Sequence, residues 1–398
     1  MICQYAGSKY HGMGYRQYYL AKEFIKNEYN VYIISGSFSH LYTNPPEIRK
    51  RFTQENIDGI NYIWVKLPRY KKSKSFGRAL SMFIFMLQLV CLKTMDLPRP
   101  DTIIFSSPSP FPIFIVSRWA KMYDAKLIFE VRDIWPLTLI ELGNFSKYHP
   151  FVMFMQFVEN FAYKKADNVV SVLPKAKNHM ISHGMREDKF HYIPNGISFD
   201  ETENPELLEK KTLYMLPEQK FIVGYAGTLG IANALDYFIE AARILQDDRA
   251  ILFVLVGDGG EKEKLVSMTD GLSNVLFLDA VAKSQIPNVL KFFDVCFISL
   301  KKEKLFRFGV SPNKLFDYMI AGKPILFAVD SGNDPVREAN CGISVKAENA
   351  QAIVDGVLRL FTMSKNERKT LGENGKQYVI KNHTYEGLAK KYIKLFKK

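Results

Sequence analysis

The sequence is poor in the residues that build disulfide frameworks and metal centres. Its four cysteines, Cys3, Cys91, Cys296 and Cys341, stand far apart and form no C-x-x-C pair. This spacing predicts reduced thiols, as in a cytosolic protein, and does not support a zinc site.

The sequence also lacks a long apolar run. The longest one, Ala79–Leu92, is shorter than the ~20 residues that a helix needs to cross a bilayer. The first residues show no basic stretch followed by an apolar one, so no signal peptide is expected.

What the chain does have is size, hydrophobic residues and positive charge. Its 398 residues, 47% hydrophobic and 14% aromatic, are enough for two domains with sizeable cores. The net charge of +13 and the pI near 9.3 predict an anionic partner. Nucleic acid, phosphorylated small molecules and an anionic membrane surface all fit that charge.

Short runs of Val, Ile, Leu and Phe alternate with helical patterns along almost the whole chain. Such runs are typical of strands buried on both faces of parallel sheets. The predicted strands are Val31–Ser35, Tyr62–Val65, Thr102–Phe105, Leu127–Val131, Val169–Val172, Tyr192–Ile193, Phe221–Tyr225, Ile251–Val256, Val275–Leu278, Val295–Ser299 and Ile325–Val329. The fold class is therefore α/β, with doubly wound sheets.

An acidic, weakly patterned segment, Asp200–Glu218, divides the chain, and the strand–helix rhythm begins afresh after it. We predict a first Rossmann-like domain at 1–200, a linker at 201–218, a second such domain at 219–380 and a C-terminal helix at 381–398. The first strand would span only Ile2–Tyr5. Either that strand is short, or translation starts upstream.

The stretch SPNKLFDYMIAGKP predicts a short helix with a polar outer face. Ser311 suits its N-cap and Pro312 its first turn. The free N–H groups of the helix start, together with Lys314, would attract a phosphate. Asp317 follows about 7–9 Å along the same face, roughly the distance from a diphosphate to the ribose of its nucleotide. The alternative is a surface pair of Lys314 and Asp317 without a ligand.

Two glycine-rich turns follow the first two strands of the second half. One contains Gly227, Thr228 and Gly230, and the other contains Gly257, Asp258 and Gly259. Both are expected at the carboxyl ends of parallel strands, where such sheets bind ligands, and their N–H groups can approach phosphate oxygens. Either turn alone is more often a plain turn, but with the acid-bearing helix they predict a nucleotide site.

These motifs resemble glycosyltransferase family 4, the retaining enzymes of GT-B architecture. The resemblance covers nearly the whole chain, since IPNGI, YAGTLG, VLVGDGGEKEKL and FGVSPNKLFDYMIAGKPIL stand in the expected order. With VRDIWP, they are most similar to the WbuB-like branch, which builds surface polysaccharides. The resemblance implies two doubly wound Rossmann-like domains facing a central cleft, with the last helix crossing back to the first domain.

The family pattern assigns roles in the second domain. It implies that Asp317 binds the nucleotide ribose, that Lys314 and the glycine turns stabilise the leaving diphosphate, and that Val281 and Lys283 lie where the base is recognised. The first of two family glutamates is replaced by Gly309, and backbone amides around Gly309–Asn313 are expected to substitute. Ser311, Pro312 and Asn313 of this segment are assigned to nucleotide binding. The family's Arg/Lys pair is also missing, because Gly230-Ile231-Ala232-Asn233 stands there.

The first domain is expected to hold the acceptor. Asp133 of VRDIWP matches a family residue beside the donor sugar and is assigned to catalysis, while Arg132 binds an acceptor diphosphate or pairs with Asp133. Further acceptor candidates in the loop after the first strand are Tyr10, His11, Gly12, Gly14 and Arg16, although a loop histidine is usually only solvated. Gln17 fills the last place of a near G-x-G-x-x-G, which argues against an NAD site.

Two apolar helices of the first domain suggest a membrane. Tyr70–Lys74 is a basic flank before Phe76–Leu92, and Phe151–Phe161 is rich in aromatic residues. Such segments suit an anionic membrane surface, although helices packed on their own sheet give the same pattern. The expected location is cytoplasmic, peripheral on the inner face of the cytoplasmic membrane.

We interpret the chain as a retaining glycosyltransferase that moves a sugar, such as an N-acetylated deoxyhexosamine, from a UDP-sugar to a polyprenyl-diphosphate-linked glycan. The sequence contains no D-x-D pair, so neither a metal nor a cofactor is expected. Two alternatives stay open, a UDP-sugar epimerase of GT-B fold and a non-catalytic nucleotide-sugar-binding protein. Nucleic-acid binding fits poorly, because no basic–aromatic module appears.

Overall fold

The chain is shared between two units. The computed structural model describes residues 1–12, 15–39, 42–70, 76–92, 97–199, 205–209, 215–217 and 219–396. The first unit comprises Met1–Asn195 and Tyr385–Lys398, and the second comprises Gly196–Thr384. The division falls at Asn195, slightly before the acidic segment in which the sequence pattern places a linker.

The first unit is built on a mainly parallel sheet. Its strands are β1 (Tyr32–Gly36), β2 (Phe52–Ile57), β3 (Ile60–Val65), β4 (Thr102–Ser106), β5 (Lys126–Val131), β6 (Asn168–Ser171) and β7 (Phe190–Tyr192). They run in the orders β2-β3-β1 and β4-β5-β6-β7, and Ile2 bridges the two groups by parallel pairing with Ile34 and Phe105. The strand predicted at Ile2–Tyr5 is thus reduced to this bridge.

The sequence pattern did not predict β2, which is antiparallel to β3. Its sequence, FTQENI, is largely polar, and its middle residues are exposed. Strands of this kind carry no continuous apolar run, because only one edge of the sheet and part of one face are buried.

The helices of the first unit are α1 (Tyr15–Lys26), α2 (Phe76–Val90), α3 (Ile113–Tyr123), α4 (Leu137–Glu141), α5 (Pro150–Lys165) and α6 (Lys177–Ser182). Aromatic side chains fill the core beside them. Tyr62 stacks on Trp64 with ring centroids 4.8 Å apart, and Phe105 stacks on Phe129 at 5.7 Å. All four are buried, and large rings at such distances stabilise a core beyond their buried area.

The second unit contains a fully parallel sheet. Its strands are β8 (Phe221–Ala226), β9 (Ile251–Val256), β10 (Val275–Leu278), β11 (Val295–Ser299), β12 (Ile325–Ala328) and β13 (Gly342–Val345), in the order β10-β9-β8-β11-β12-β13. This is the 3-2-1-4-5-6 order of doubly wound folds. The strand β13 was not predicted. It begins at Gly342, where a Cβ would lie 1.9 Å from the carbonyl oxygen of Ile325, so close pairing requires a glycine that looks like a breaker.

The helices of the second unit are α7 (Asp236–Ile244), α8 (Lys262–Ser267), α9 (Ile286–Leu290), α10 (Asn313–Ile320), α11 (Pro335–Glu338), α12 (Ala350–Thr362) and α13 (Lys365–Asn382). The last helix of the chain, α14 (Tyr385–Phe396), returns to the first unit. There the ring of Phe24 on α1 meets Tyr392 at 6.0 Å and Phe396 at 5.1 Å. Leu388, Ala389 and Tyr392 are buried, so this face of the helix belongs to the core of the first unit.

Candidate functional site

The sheet of the second unit opens between β8 and β11. These neighbours pair at Val223 with Val295 and at Gly224 with Cys296, and the paired register ends there. The strands therefore separate toward their carboxyl ends. This is also the point at which the strand order reverses, and ligands of doubly wound sheets bind in that crevice.

The helix α10 is fastened to this opening by Tyr318. The phenol oxygen accepts a hydrogen bond from the N–H of Ala226 (2.8 Å) and donates one to the carbonyl oxygen of the same residue (3.0 Å). Tyr318 is buried, and burial raises the pKa of its phenol well above the ordinary value. The hydroxyl therefore keeps its proton, and the last residue of β8 has both backbone groups paired.

The two glycine turns form one continuous backbone surface. The N–H of Leu229 donates to the carbonyl oxygen of Asp258 (2.8 Å), and the N–H of Glu261 donates to the carbonyl oxygen of Leu229 (3.0 Å). A Cβ at Gly257 would lie 2.0 Å from the carbonyl oxygen of Gly227, and one at Gly259 would lie 2.3 Å from that of Leu229. Glycine is thus required because the turns touch, and a ligand is not needed to explain it.

The side chain of Asp258 serves its own turn, since it accepts a hydrogen bond from the N–H of Gly259 (2.8 Å). The exposed Thr228 offers its carbonyl oxygen to two partners, the hydroxyl of Tyr225 (2.7 Å) and the amide of Asn233 (2.9 Å). Gly230 leads into the 3₁₀ turn that carries Asn233.

The amine of Lys314, near the start of α10, is held by uncharged hydrogen-bond acceptors. Its Nζ donates to the hydroxyl of Tyr225 (2.6 Å) and to Oδ1 of Asn233 (3.0 Å), and it lies 4.2 Å from the centre of the Tyr225 ring. Within the part of the chain that the structure describes, no carboxylate pairs with this amine. Burial lowers the pKa of Lys314 to about 7. Near pH 7 the amine therefore exists in both its charged and its neutral form, and an anion bound beside the glycine turn would favour the ammonium.

Asp317 has a different partner from the one that the surface-pair alternative required. Lys283 Nζ lies 2.5 Å from both of its carboxylate oxygens, so the Lys314–Asp317 pair is wrong. The pair of Lys283 and Asp317 borders a pocket of about 180 Å³. The pocket's other walls are Ile286, Pro287, Leu290, Lys291, Ile320 and Ala321. A carboxylate has about four acceptor positions, so Asp317 can receive two further hydroxyl groups.

The segment before α10 differs from the sequence-based prediction by one residue. The helix begins at Asn313 and its N-cap is Pro312, so Ser311 is not the cap. The exposed Asn313 and its neighbours therefore start the helix without a hydroxyl cap, which leaves their N–H groups for other acceptors. Val281, the other residue predicted for the base, is half buried and packs against the core of the unit.

Gly309 has a φ of 103°. The side chain of Asn333 forms hydrogen bonds with both backbone groups of the next residue, Val310. Oδ1 of Asn333 accepts from the N–H of Val310 (2.8 Å), and its Nδ2 donates to the carbonyl oxygen of Val310 (3.1 Å). A glutamate with that φ would be strained. This backbone conformation therefore favours the glycine that stands where the family carries a glutamate.

Two acceptor candidates of the first unit are buried instead. Arg16 donates to Glu130 (2.8 Å) and to the carbonyl oxygens of Ile193 (2.8 Å) and Pro194. Because all its guanidinium nitrogens are engaged inside the unit, its assignment to acceptor binding is wrong. His11 is also buried, with Nδ1 2.8 Å from the hydroxyl of Ser8. Burial lowers the pKa of His11, with Glu55 opposing the shift, so its assignment is likewise not supported.

Of the other candidates in that loop, Tyr10 is accessible and Gly12 is buried. Tyr10 is 53% exposed, with its hydroxyl 3.5 Å from Asp58. Gly12 has a φ of 94°, and its N–H closes a turn on the carbonyl oxygen of Ser8 (3.0 Å). Gly14 lies outside the described residues.

Arg132 and Asp133 follow β5 directly and are held by one hydroxyl. Oγ of Ser107 accepts from the N–H of Arg132 (2.9 Å) and from that of Asp133 (3.5 Å). Asp133 is exposed by surface area at the carboxyl end of its strand, yet desolvation raises the pKa of its carboxyl above the ordinary value, with Arg132 and Arg78 opposing the shift. This placement agrees with a residue that meets a ligand, since loops there form the binding edge of the sheet.

Sequence reasoning missed Tyr225, Asn233, Tyr318 and Asn333. Asn233 had a signal, because it stands where the family carries a cation. The two tyrosines had none, because a tyrosine in an apolar run is usually core. In the described ranges, no three His, Cys, Asp or Glu side chains gather into a group that could hold a metal ion.

Both units match family models of glycosyltransferases. Residues 10–201 match the family model described as Glycosyltransferase Family 4, and residues 220–363 match the model described as Glycosyl transferases group 1. WcaI of Escherichia coli K12, named as a colanic acid biosynthesis glycosyl transferase, is 25% identical over 279 residues, which cover 67% of this chain and 68% of WcaI. The uncharacterized glycosyltransferase MJ1069 of Methanocaldococcus jannaschii is 24% identical over 59% of each chain.

Solved structures share the fold. Sucrose-phosphate synthase from Thermosynechococcus elongatus superimposes with a TM-score of 0.75 at 14% identity, over 99% of this chain and 97% of that one. Anabaena HepE in complex with UDP-glucose gives 0.64 at 14% identity, over 99% and 97%. WaaG, a glycosyltransferase involved in lipopolysaccharide biosynthesis, gives 0.67 at 15% identity, over 99% and 98%. The predicted GT-B fold is confirmed.

Proposed function

The chain belongs to glycosyltransferase family 4, and from that premise we propose that it transfers a sugar from a UDP-sugar to a lipid-linked glycan in surface-polysaccharide biosynthesis. WcaI and WaaG, named for colanic acid and lipopolysaccharide biosynthesis, support the pathway class. The UDP-glucose bound to HepE supports a uridine donor.

The observation that carries the proposal is the position of the Lys314 amine. The amine lies within 2.6 Å of Tyr225 and 3.0 Å of Asn233, next to the turn that begins at Gly227. Sugar transfer builds negative charge on the leaving diphosphate. A pre-positioned ammonium, N–H groups of the glycine turn and the N-terminus of α10 stabilise that charge without reorganisation.

Asp317 then receives the ribose. It lies one helical turn beyond Lys314 on α10, and its carboxylate keeps acceptor positions beside Lys283. Lys283 and the half-buried Val281 would flank the base. In the same scheme the backbone around Gly309 and Asn313 contacts the donor sugar, because the family carboxylate is absent there.

Transfer with retention needs no additional protein base if the leaving phosphate takes the acceptor proton. At the carboxyl end of β5 in the first unit, we assign Asp133 to catalysis beside the donor sugar and Arg132 to the diphosphate of the acceptor. Tyr10 and Gly12 complete that assignment, and the acceptor is a glycan on a polyprenyl diphosphate. The reaction would take place at the inner face of the cytoplasmic membrane.

Donor binding in this scheme does not require a divalent metal, because Lys314 compensates the diphosphate charge. Excess EDTA should leave both UDP affinity and sugar transfer unchanged within about twofold. A loss of activity that Mg²⁺ or Mn²⁺ restores would contradict this part of the proposal.

The test is calorimetric binding of UDP, GDP, ADP and NAD to the wild type, to Asp317→Ala and to Lys314→Met. We expect selective UDP binding that both substitutions weaken by at least tenfold. Lys291→Met, a lysine of the same pocket wall that is not assigned to the ligand, is the matched control. Equal binding of all four nucleotides, or indifference to both substitutions, would overturn the site.

Turnover separates transfer from its competitors. Incubation with a UDP-sugar and a short-chain lipid-linked acceptor should release UDP and give a glycoside with the donor's anomeric configuration, read by NMR. Conversion of the donor to its epimer without UDP release would instead identify an epimerase.

A further inference from the structure

The first unit exposes a continuous apolar surface, which we call the aromatic face. It consists of outward side chains of α2, of the loop 142–149 and of α5. Its most exposed members are Val90 (64%), Tyr148 (73%) and Phe157 (59%), and the others are Leu80, Leu87, Leu142, Phe145, Met153 and Phe154. Patches of this kind mark sites of interaction.

Ring contacts join the helices α2, α3 and α5 on this side of the unit, and the loop 142–149 leads directly into α5. Phe83 of α2 stacks on Phe111 with centroids 4.4 Å apart, and Phe111 stacks on Phe154 of α5 at 5.8 Å. Phe114 of α3 meets Phe157 at 6.3 Å. The exposed residues are therefore neighbours and not isolated surface hydrophobics.

The outer side of α5 is the unusual part. Its inner side buries Val152, Met155 and Val158 in the unit, as an ordinary amphipathic helix does. The opposite side of such a helix is normally polar, yet here it presents Met153 and Phe157. Packing on its own sheet thus explains only one side of the helix.

The charge of the aromatic face has one sign. Neither α2 nor the stretch 142–158 contains an Asp or Glu, whereas Arg78 and Lys147 lie within them. The acid on α5, Glu159, is buried beside Tyr163 (2.8 Å) and Gln156 (3.0 Å). Burial raises the pKa of Glu159 to about 8, so it adds no negative charge at neutral pH.

The face is also continuous in the chain with the acceptor candidates. Arg132 and Asp133 are followed by the five-residue helix α4, and the loop 142–149 begins directly after it. At 1.5 Å per residue, α4 is only about 7–8 Å long. A surface that met a lipid there would bring a lipid-linked substrate near these two residues.

From these observations we propose that the aromatic face docks on the surface of an anionic phospholipid bilayer. Aromatic and aliphatic side chains enter the interface, and Lys147 meets acidic headgroups. Arg78 is engaged by the hydroxyl of Tyr5 (3.4 Å) and is not assigned to the headgroups. The inference rests on the proposed function for its purpose, because the acceptor is lipid-linked, but not for its geometry. Within the described ranges, no helix is long and apolar enough to cross a membrane.

A second copy of the chain fits this surface less well. Two identical faces would bring cations of the same sign together in a low-dielectric contact, which costs free energy. A bilayer of acidic lipids offers the opposite sign and a fluid apolar layer. The bilayer is therefore the occupant that complements both properties.

The test uses the whole protein and sedimented vesicles of phosphatidylcholine with 0% or 30% phosphatidylglycerol. The variant carries Met153→Ser and Phe157→Ser. The control carries Ile244→Ser and Val266→Ser, two exposed apolar residues of the second unit. We expect the wild type and the control to bind acidic vesicles, and the variant to bind at least tenfold more weakly. Added salt should weaken binding, and neutral vesicles should bind less.

Two further readouts keep the outcomes apart. Light scattering of free protein reports self-association, and UDP calorimetry reports the donor site. Equal vesicle binding of variant and control would overturn the docking surface, as would a wild-type dimer that the variant dissolves. Normal vesicle binding without UDP binding would instead contradict the proposed function and leave the docking surface standing. Thermal unfolding shows whether each variant is folded.

Discussion

The hydroxyl of Tyr318 forms hydrogen bonds with both the N–H (2.8 Å) and the carbonyl oxygen (3.0 Å) of Ala226. This contact lies where β8 is no longer paired with β11. One side chain of α10 therefore replaces the strand that the sheet no longer supplies. Lys314 lies one helical turn before Tyr318, so the same contact determines where the lysine stands relative to the glycine turn.

Tyr318→Phe should impair both stability and donor binding. It leaves a buried N–H and C=O unpaired, which costs about 1–3 kcal/mol of the free energy of unfolding. Because the turn after Ala226 then shifts, UDP affinity should fall about tenfold. Tyr378→Phe, which removes a half-buried hydroxyl that donates to Glu338 (3.1 Å), is the control and should leave UDP affinity unchanged. A purely structural Tyr318 would lower the denaturation midpoint and spare UDP affinity.

UDP binding should weaken as pH rises through the pKa of Lys314, which burial lowers to about 7. The diphosphate favours the ammonium, so above pH 7 binding must take up a proton, and affinity should drop by up to about tenfold per pH unit. Calorimetry in buffers of different ionisation enthalpy measures that proton. In Lys314→Met the uptake should vanish, and its persistence would assign the proton to another group.

The same lysine should affect stability in the opposite sense. Between its folded pKa near 7 and its ordinary value of 10.5, the unfolded chain binds a proton that the folded chain does not. The contribution of Lys314 to the free energy of unfolding therefore rises with pH in this window. Urea unfolding of wild type and Lys314→Met at pH 7 and pH 9 should show a smaller rise in the variant.

The ribose contact of Asp317 can be isolated with a modified ligand. Replacing UDP by 2′-deoxy-UDP should cost the wild type about 1.5–3 kcal/mol of binding free energy, the range of a hydrogen bond to a charged group. In Asp317→Ala the two ligands should bind alike. Lys283→Met should keep the discrimination, since its half-exposed ion pair contributes under about 1 kcal/mol. Equal discrimination in all three proteins would remove the ribose from α10.

Arg16 should act on stability alone. Burial raises the pKa of the Glu130 carboxyl, and Arg16, Arg132 and hydrogen bonds outweigh it and hold the value at about 2. Arg16→Met removes the largest of these lowering causes and leaves a buried carboxyl without its ion pair. Breaking such a pair costs about 3–5 kcal/mol of the free energy of unfolding. Arg186→Met, whose partner Asp188 is exposed, is the control. Unchanged stability with a raised KM for acceptor would restore Arg16 to the acceptor site.

The parts of the fold that could be predicted are those whose pattern is periodic and apolar. The buried strands β8, β9 and β11 are continuous runs, and they lie at the predicted positions. The strand β2 was missed because an exposed edge strand tolerates polar residues, and β13 because close pairing demands Gly342.

For the site, sequence alone located the loops but not the pairings. It brought Lys314 and Asp317 to one helix, yet their partners, Tyr225 and Lys283, come from segments that only the fold brings near. The sequence also led us to expect Arg16 and His11 in an accessible loop. Both are buried in the structure, where Arg16 pairs with Glu130 and His11 contacts the hydroxyl of Ser8. Such partner choices depend on tertiary distances, which a linear pattern does not contain.

The junction of Arg16 and Glu130 also bears on how the chain is made. Glu130 accepts from Tyr392 of α14, and Arg16 holds Pro194 at the exit from the first unit. On a ribosome the second unit, a continuous segment from Gly196 to Thr384, can fold as soon as it emerges. The first unit must wait with an open core until its last helix is released. Here the amino-terminal half of the protein is the last to be finished.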